Sequence, residues 1–146
     1  YRMAKNGYNT NLAAEFYVLS VLHRLGVDAN LTLGNKKSVD IAAVRAAGRA
    51  VTIDVKGLAG ATSWPVDNLK APKTGHFIVF VCYRGKIADP AVPPEVWVIP
   101  SSKVAALTYH SPNGKRRVVQ RSTLNAKAKQ YKDSWGRLVC TIGFGV

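Results

Sequence analysis

"SVDIAAVRAAGRAVTIDVKG", residues 38–57, decides how this chain folds. Two apolar runs rich in β-branched residues, 38–46 and 50–57, flank Ala46, Ala47 and Gly48, a three-residue loop with glycine where such hairpins need a left-handed residue. Pairing across that loop sets Arg45 opposite Arg49 and Asp40 opposite Asp54; a two-residue loop or a bulge would shift the register by one. Side chains alternate along a strand, so Val51, Ile53 and Val55 share one face while Asp54 and Lys56 share the other. Asp40 and Asp54 then stand on one face of adjacent antiparallel strands, with Cβ atoms roughly 4.5 to 5.5 Å apart.

Working outward, "NTNLAAEFYVLSVLHRLG" (9–26) reads as a helix, with Asn9, Thr10 or Asn11 as its cap and Gly26 as its stop. At about 100° per residue from Leu12, the apolar arc runs from Val18 (about 240°) through Leu22 and Leu19 to Phe16 (about 40°). Glu15, at about 300°, falls inside that arc, and an inward carboxylate needs a partner, a metal or a water-filled cleft. His23, on the same side, reads as a packed histidine. "ANLTL" (29–33) is a short strand. Residues 58–75, rich in Gly, Pro, Ser and Thr, read as a functional loop with one helical turn starting at Pro65. "HFIVFVCY" (76–83) and "EVWVIP" (95–100) are apolar strands, and "SSKVAAL" opens a short helix capped by Ser101 or Ser102. "RVVQ" (117–120) is a small strand, and the segment from Leu124 is helical or irregular and basic. This order predicts one domain over 1–146, α/β with one mixed sheet flanked by helices, its core over about 5–107 and a basic segment over 108–146.

Charge is the strongest compositional signal: 21 basic residues against 8 acidic give +13. That balance favours a polyanionic partner, nucleic acid above all. Seven basic residues and no acid lie between Lys115 and Lys132, with Tyr131 inside the stretch and Trp135 just after it for aromatic contact. Lys36, Lys37 and Ser38, Lys70 and Lys73, and Lys115, Arg116, Arg117 and Arg121 are candidate contacts to a nucleic-acid backbone. No apolar run is long enough to span a bilayer and no export signal is evident, so an intracellular, cytoplasmic location is expected. Cys82 and Cys140 lack metal or disulfide spacing and read as two buried free thiols. Trp64 is either a base-stacking residue or a lid on the core.

Glu15, Asp40, Asp54 and Lys56 therefore converge. Carboxylates alone suit Mg²⁺ or Mn²⁺, with the Val55 backbone carbonyl available to complete the shell. A cation removes the repulsion between two close acids, and a neighbouring lysine can contact a phosphate or the attacking water. That chemistry is phosphodiester hydrolysis. The pattern E15…V39-D40…D54-V55-K56 resembles the PD-(D/E)XK nuclease superfamily, and its gaps of 25 and 14 residues resemble those of small Holliday junction resolvases of archaeal and phage type. The resemblance covers residues 5 to about 83. It implies a restriction-endonuclease-like αβββαβ core, Mg²⁺-dependent cleavage of branched or duplex DNA, and a homodimer. It also implies that Asp40 and Asp54 ligate the metal, Glu15 ligates it directly or through water, and Lys56 is the catalytic lysine. Val39 stands where the superfamily's name places Pro, and residues 57–70 lack the clear helix of many relatives. The alternatives are a sequence-specific enzyme of homing or restriction type on the same core, or a catalytically silent nucleic-acid-binding module.

Overall fold

A computed structural model describes residues 7–32, 40–44, 50–69 and 71–142. Val39, the loop residues 45–49, and the candidate contacts Lys36, Lys37, Ser38 and Lys70 lie outside the described residues.

The chain opens with α1 (Gly7–Arg24), followed by β1 (Ala29–Leu31), β2 (Ile41–Ala43) and β3 (Val51–Leu58). β4 (Ser63–Pro65), β5 (His76–Cys82) and β6 (Glu95–Pro100) come next, then α2 (Ser101–Val104) and a short turn of tighter helix. β7 (Thr108–His110), β8 (Arg117–Gln120), α3 (Arg121–Lys127) and α4 (Trp135–Ile142) complete it. A five-stranded sheet runs β1-β2-β3-β5-β6 and a three-stranded sheet runs β4-β8-β7. In the large sheet only β3 and β5 are parallel. The fold is thus mixed α/β, as predicted, but with a second, three-stranded sheet where a single sheet was expected.

The deciding hairpin has the expected register: Ile41 pairs with Ile53, Ala42 with Thr52 and Ala43 with Val51. One face of the large sheet buries Ile41, Val51, Ile53, Val79 and Val98 against Ala14, Val18 and Leu22 of α1 and Leu138 of α4. The other buries Ile78, Phe80, Trp97 and Ile99 under Trp64, Val119 and Leu124. Each layer removes large β-branched and aromatic side chains from water, which is the main favourable term in folding.

Where α1 meets β3 the two backbones nearly touch. A Cβ added at Gly57 would lie 3.0 Å from both the Ala14 Cβ and the Thr10 carbonyl oxygen, so any side chain there would have to push the helix back by a few tenths of an ångström. At its other end α1 stops in a Schellman motif: Val27 N–H donates to the Leu22 carbonyl and Gly26 N–H to that of His23, with Gly26 at φ 78°.

Several expectations change. The buried stripe of α1 is Ala14, Val18 and Leu22, one strip further round than the arc predicted, so Phe16 is 54% exposed and Glu15 sits at the border of the buried face. His23 is exposed, its Nε2 2.9 Å from the Ala29 carbonyl oxygen. The crossover from β3 to β5 carries strand β4 and a turn in which Leu69 N–H donates to Val66 O; neither a helical turn from Pro65 nor the crossover helix of an αβββαβ core is present among its described residues. Ser101 does not cap α2; its hydroxyl instead binds the Lys73 backbone. Trp64 is buried, with its indole N–H donating to the Val81 carbonyl, 3.2 Å, and so is a lid on the core. Cys82 is buried but Cys140 is exposed.

Candidate active site

β2 begins at Ile41 while β3 runs on to Leu58, so beyond Ile53 the β2-side edge of β3 has no strand partner among the described residues. The last ladder bond there is Asp40 N–H to the Ile53 carbonyl, 2.9 Å. The next donor on that edge, Val55 N–H, is taken by the Asp40 carboxylate, Oδ2 at 2.7 Å. The strand end therefore aims the Asp40 side chain along β3. By the same alternation, the Val55 carbonyl points to this edge.

Three carboxylates meet here although they start on different layers. Asp54 projects from the face of β3 that carries Thr52 and Lys56, while Glu15 arrives from α1 on the opposite layer. Asp40 lies between them, within hydrogen-bonding reach of both. Burial first, then the charge of Asp40 and a hydrogen bond to it, pushes the Glu15 carboxyl up to about 7. Burial, then a hydrogen bond to Asp40 and its charge, raises Asp54 to about 7 against the opposing pull of the Lys56 ammonium. The contacts are pairwise through Asp40, and among the described residues no three His, Cys, Asp or Glu side chains lie close enough together to hold a metal ion as they stand. Oxygen-only donors that repel one another at a strand edge fit a hard divalent cation such as Mg²⁺ or Mn²⁺, which relieves the repulsion.

Lys56 completes the group. Its Nζ lies 3.7 Å from Asp54 Oδ2 and donates to Asn68 Oδ1 at 3.2 Å. Asn68 belongs to the turn after β4, which is tied to the second sheet: Asp67 Oδ1 accepts from Arg117 N–H and the Asp67 carbonyl accepts from the Arg117 guanidinium, both at 2.6 Å. A cleft of about 330 Å³, lined by Asn11, Glu15, Val55, Lys56, Trp64 and Asn68 among others, opens beside these groups.

The structure thus sets Glu15 and Asp54 each beside Asp40, Lys56 beside Asp54, and the Val55 N–H on the Asp40 carboxylate. The candidate basic contacts divide. Lys115 and Arg116 are exposed at the turn between β7 and β8, and Lys73 is exposed on the loop before β5. Arg117 is engaged by Asp67, and Arg121 by Glu95, whose Oε1 lies 2.7 Å from Nη2. Tyr131 is buried, with the Arg137 guanidinium 5.1 Å from its ring centre, and Trp135 packs against the first core, so both aromatics of the basic segment serve the fold. Sequence reasoning missed Asn68, twelve residues from the lysine it holds, and His76, whose Nδ1 is 2.6 Å from Thr52 Oγ1. Neither carries a local motif.

No protein family, curated protein or solved structure matches this chain. No helix among the described residues is long and apolar enough to cross a membrane.

Proposed function

We propose that the chain is a divalent-metal-dependent endonuclease of the PD-(D/E)XK type that hydrolyses DNA phosphodiester bonds, with branched DNA as its preferred substrate. One observation carries this reading: Glu15, Asp40 and Asp54 converge from two layers at the end of β2, beside a lysine fixed between Asp54 and Asn68. A solvated strand face would not gather three of eight acids in so basic a chain.

Asp40, Asp54 and Glu15, with the Val55 carbonyl, would hold Mg²⁺ or Mn²⁺. The cation supplies positive charge against the negative charge that gathers on the phosphate oxygens during hydrolysis. Lys56 donates to a phosphate oxygen or to the attacking water, and its fixed position means little reorganisation as charge develops. Glu15, on the cleft wall, accepts a hydrogen bond from that water and orients it. The preference for branched DNA and the homodimer, which would present two such sites to one substrate, follow from the resemblance of the motif; the net charge of +13 supports a polyanionic partner.

The test is a panel of four-way junction, flap, single-stranded and duplex DNA with and without Mg²⁺, using the wild type and Asp54→Ala. Junction cleavage is expected only with Mg²⁺, with Asp54→Ala slower by at least about a hundredfold. Cleavage of none of the substrates, or equal cleavage by Asp54→Ala, overturns the proposal. Salt-sensitive binding without cleavage favours the silent binding module.

A further inference from the structure

A second cavity, of about 500 Å³, lies at the start of β5 and is lined by Lys73, Thr74, Gly75, His76, Ser102 and Thr141 among others. Its basic groups are built in. Ser101, buried at the start of α2, both accepts from Lys73 N–H (3.2 Å) and donates to the Lys73 carbonyl (3.1 Å), which fixes the backbone from which the lysine projects. His76 is held by Thr52 through the 2.6 Å contact. Both side chains line the cavity; burial, and next the nearby Lys73 charge, lower the imidazole pKa, while a hydrogen bond to Thr52 and the Asp40 charge act the other way.

The pocket is also placed relative to the carboxylates. His76 pairs with Thr52 across the parallel strands, and Asp54 with Ile78. His76, Thr52 and Asp54 therefore share one face of the sheet, with Asp54 roughly 7 Å further along the strand direction than Thr52. A lysine and an imidazole lining one cavity, flanked by hydroxyls, suit a phosphate diester, whose charge would offset the lysine and whose oxygens would accept from the ammonium and from an imidazole N–H.

We propose that Lys73 and His76 form a phosphodiester subsite that binds the nucleic-acid backbone beside the phosphate held at the carboxylates. Its ligand class rests on the nuclease reading above, and its location on the pocket itself.

The experiment measures binding of a short labelled DNA duplex in metal-free buffer by wild type, Lys73→Ala and His76→Gln, with thermal unfolding of each variant as the folding control. Lys73 is exposed, so its removal leaves the fold intact. Each substitution is expected to weaken binding about three- to tenfold, and Lys73→Ala to reduce the slope of log K against log salt by about 1. When single neutral methylphosphonates are scanned along the duplex, one position is expected to erase the difference between wild type and both variants. Wild-type affinity in both variants, a loss that persists with every modified duplex, or a wild type that binds no duplex overturns the subsite. Position-dependent loss in a protein that never cleaves with Mg²⁺ supports the subsite and counts against the nuclease reading. Cleavage with unchanged variant affinities does the reverse.

Discussion

Replacing Asp54 by Asn is expected to make the metal-free protein more stable at pH 8 and to stabilise it much less at pH 5. Asp54 is only 14% exposed, and its carboxyl is raised from an ordinary 3.8 to about 7. Between those values the folded state holds a proton that the unfolded state has lost, so stability falls as pH rises through that window. The shift of about 3 units corresponds to roughly 4 kcal/mol once the group is ionised in both states, at 1.36 kcal/mol per unit. Asn mimics the protonated acid in shape and charge; the pull of Lys56 is already contained in that shift, but the part due to Asp40 is shared with that group. The net gain at pH 8 is therefore expected to be about 1 to 2 kcal/mol, or roughly 3 to 8 °C in Tm for a chain of this length. At pH 5 the carboxyl is protonated in the fold but ionised in the unfolded chain, so less than half of the gain remains, and it vanishes only below the ordinary 3.8. The assay is thermal unfolding of wild type and Asp54→Asn at both pH values in EDTA and in millimolar Mg²⁺, where the ion is expected to raise the wild type alone at pH 8. An equal effect of the substitution at both pH values, a loss of stability at pH 8, or the same Mg²⁺ response in both proteins refutes the reasoning.

Three further outcomes are expected. Asn68→Ala releases Lys56 from its hydrogen bond and is expected to lower Mg²⁺-dependent cleavage about tenfold or more while duplex affinity stays at the wild-type value, read by single-turnover kinetics beside binding titrations. Lys115→Ala with Arg116→Ala, at an exposed turn, is expected to reduce the salt slope of duplex binding by about 2 and leave Tm unchanged, since neither side chain supports the core. Glu95→Gln is expected to cost about 1 to 3 kcal/mol at pH 7, measured by urea unfolding. Burial pushes the Glu95 carboxyl up, but hydrogen bonds from Arg121 and Lys132 and their charges outweigh it and hold its pKa below the ordinary 4.5. Its contribution is therefore present above that value, and the cost of the substitution shrinks as pH falls below it.

The hairpin and most of the site are legible in the sequence because they are local. A three-residue loop expected at 46–48 implies the register that the strands share, strand alternation then places Asp54 and Lys56, and one helix turn relates Glu15 to Leu12. The structure realises the register but not the simple picture of two acids side by side on a flat sheet. Asp40 lies just outside β2, and its carboxylate takes Val55 N–H where β2 no longer pairs with β3. What local reading could not reach is set by long-range pairing. β4 is three residues ending in proline, with no alternation to reveal it, and exists because β8, over fifty residues later, supplies its ladder. The same pairing brings Arg117 to Asp67 and so places Asn68 at Lys56. The buried stripe of α1 was displaced for a related reason. The helix wheel registers where apolar residues lie, but the close approach at Gly57 decides which of them face the sheet.

The distribution of acids separates structural from functional charge. Glu95 is the partner of three cations, Arg84, Arg121 and Lys132, and its carboxyl is held below the ordinary range. Asp67 is bonded twice to Arg117. Asp28, Asp89 and Asp133 are exposed to water. The remaining three of the eight acids gather where water is scarce, and among the described residues the one ion pair they make is that of Asp54 with Lys56. Folding supplied abundant arginine and lysine elsewhere, so an arrangement selected for stability alone would have spread these acids or paired them as it paired Glu95. A cluster that opposes its own folding as pH rises, in a chain with 21 basic residues to neutralise it, fits the proposed reading, in which a cation from outside supplies the missing charge.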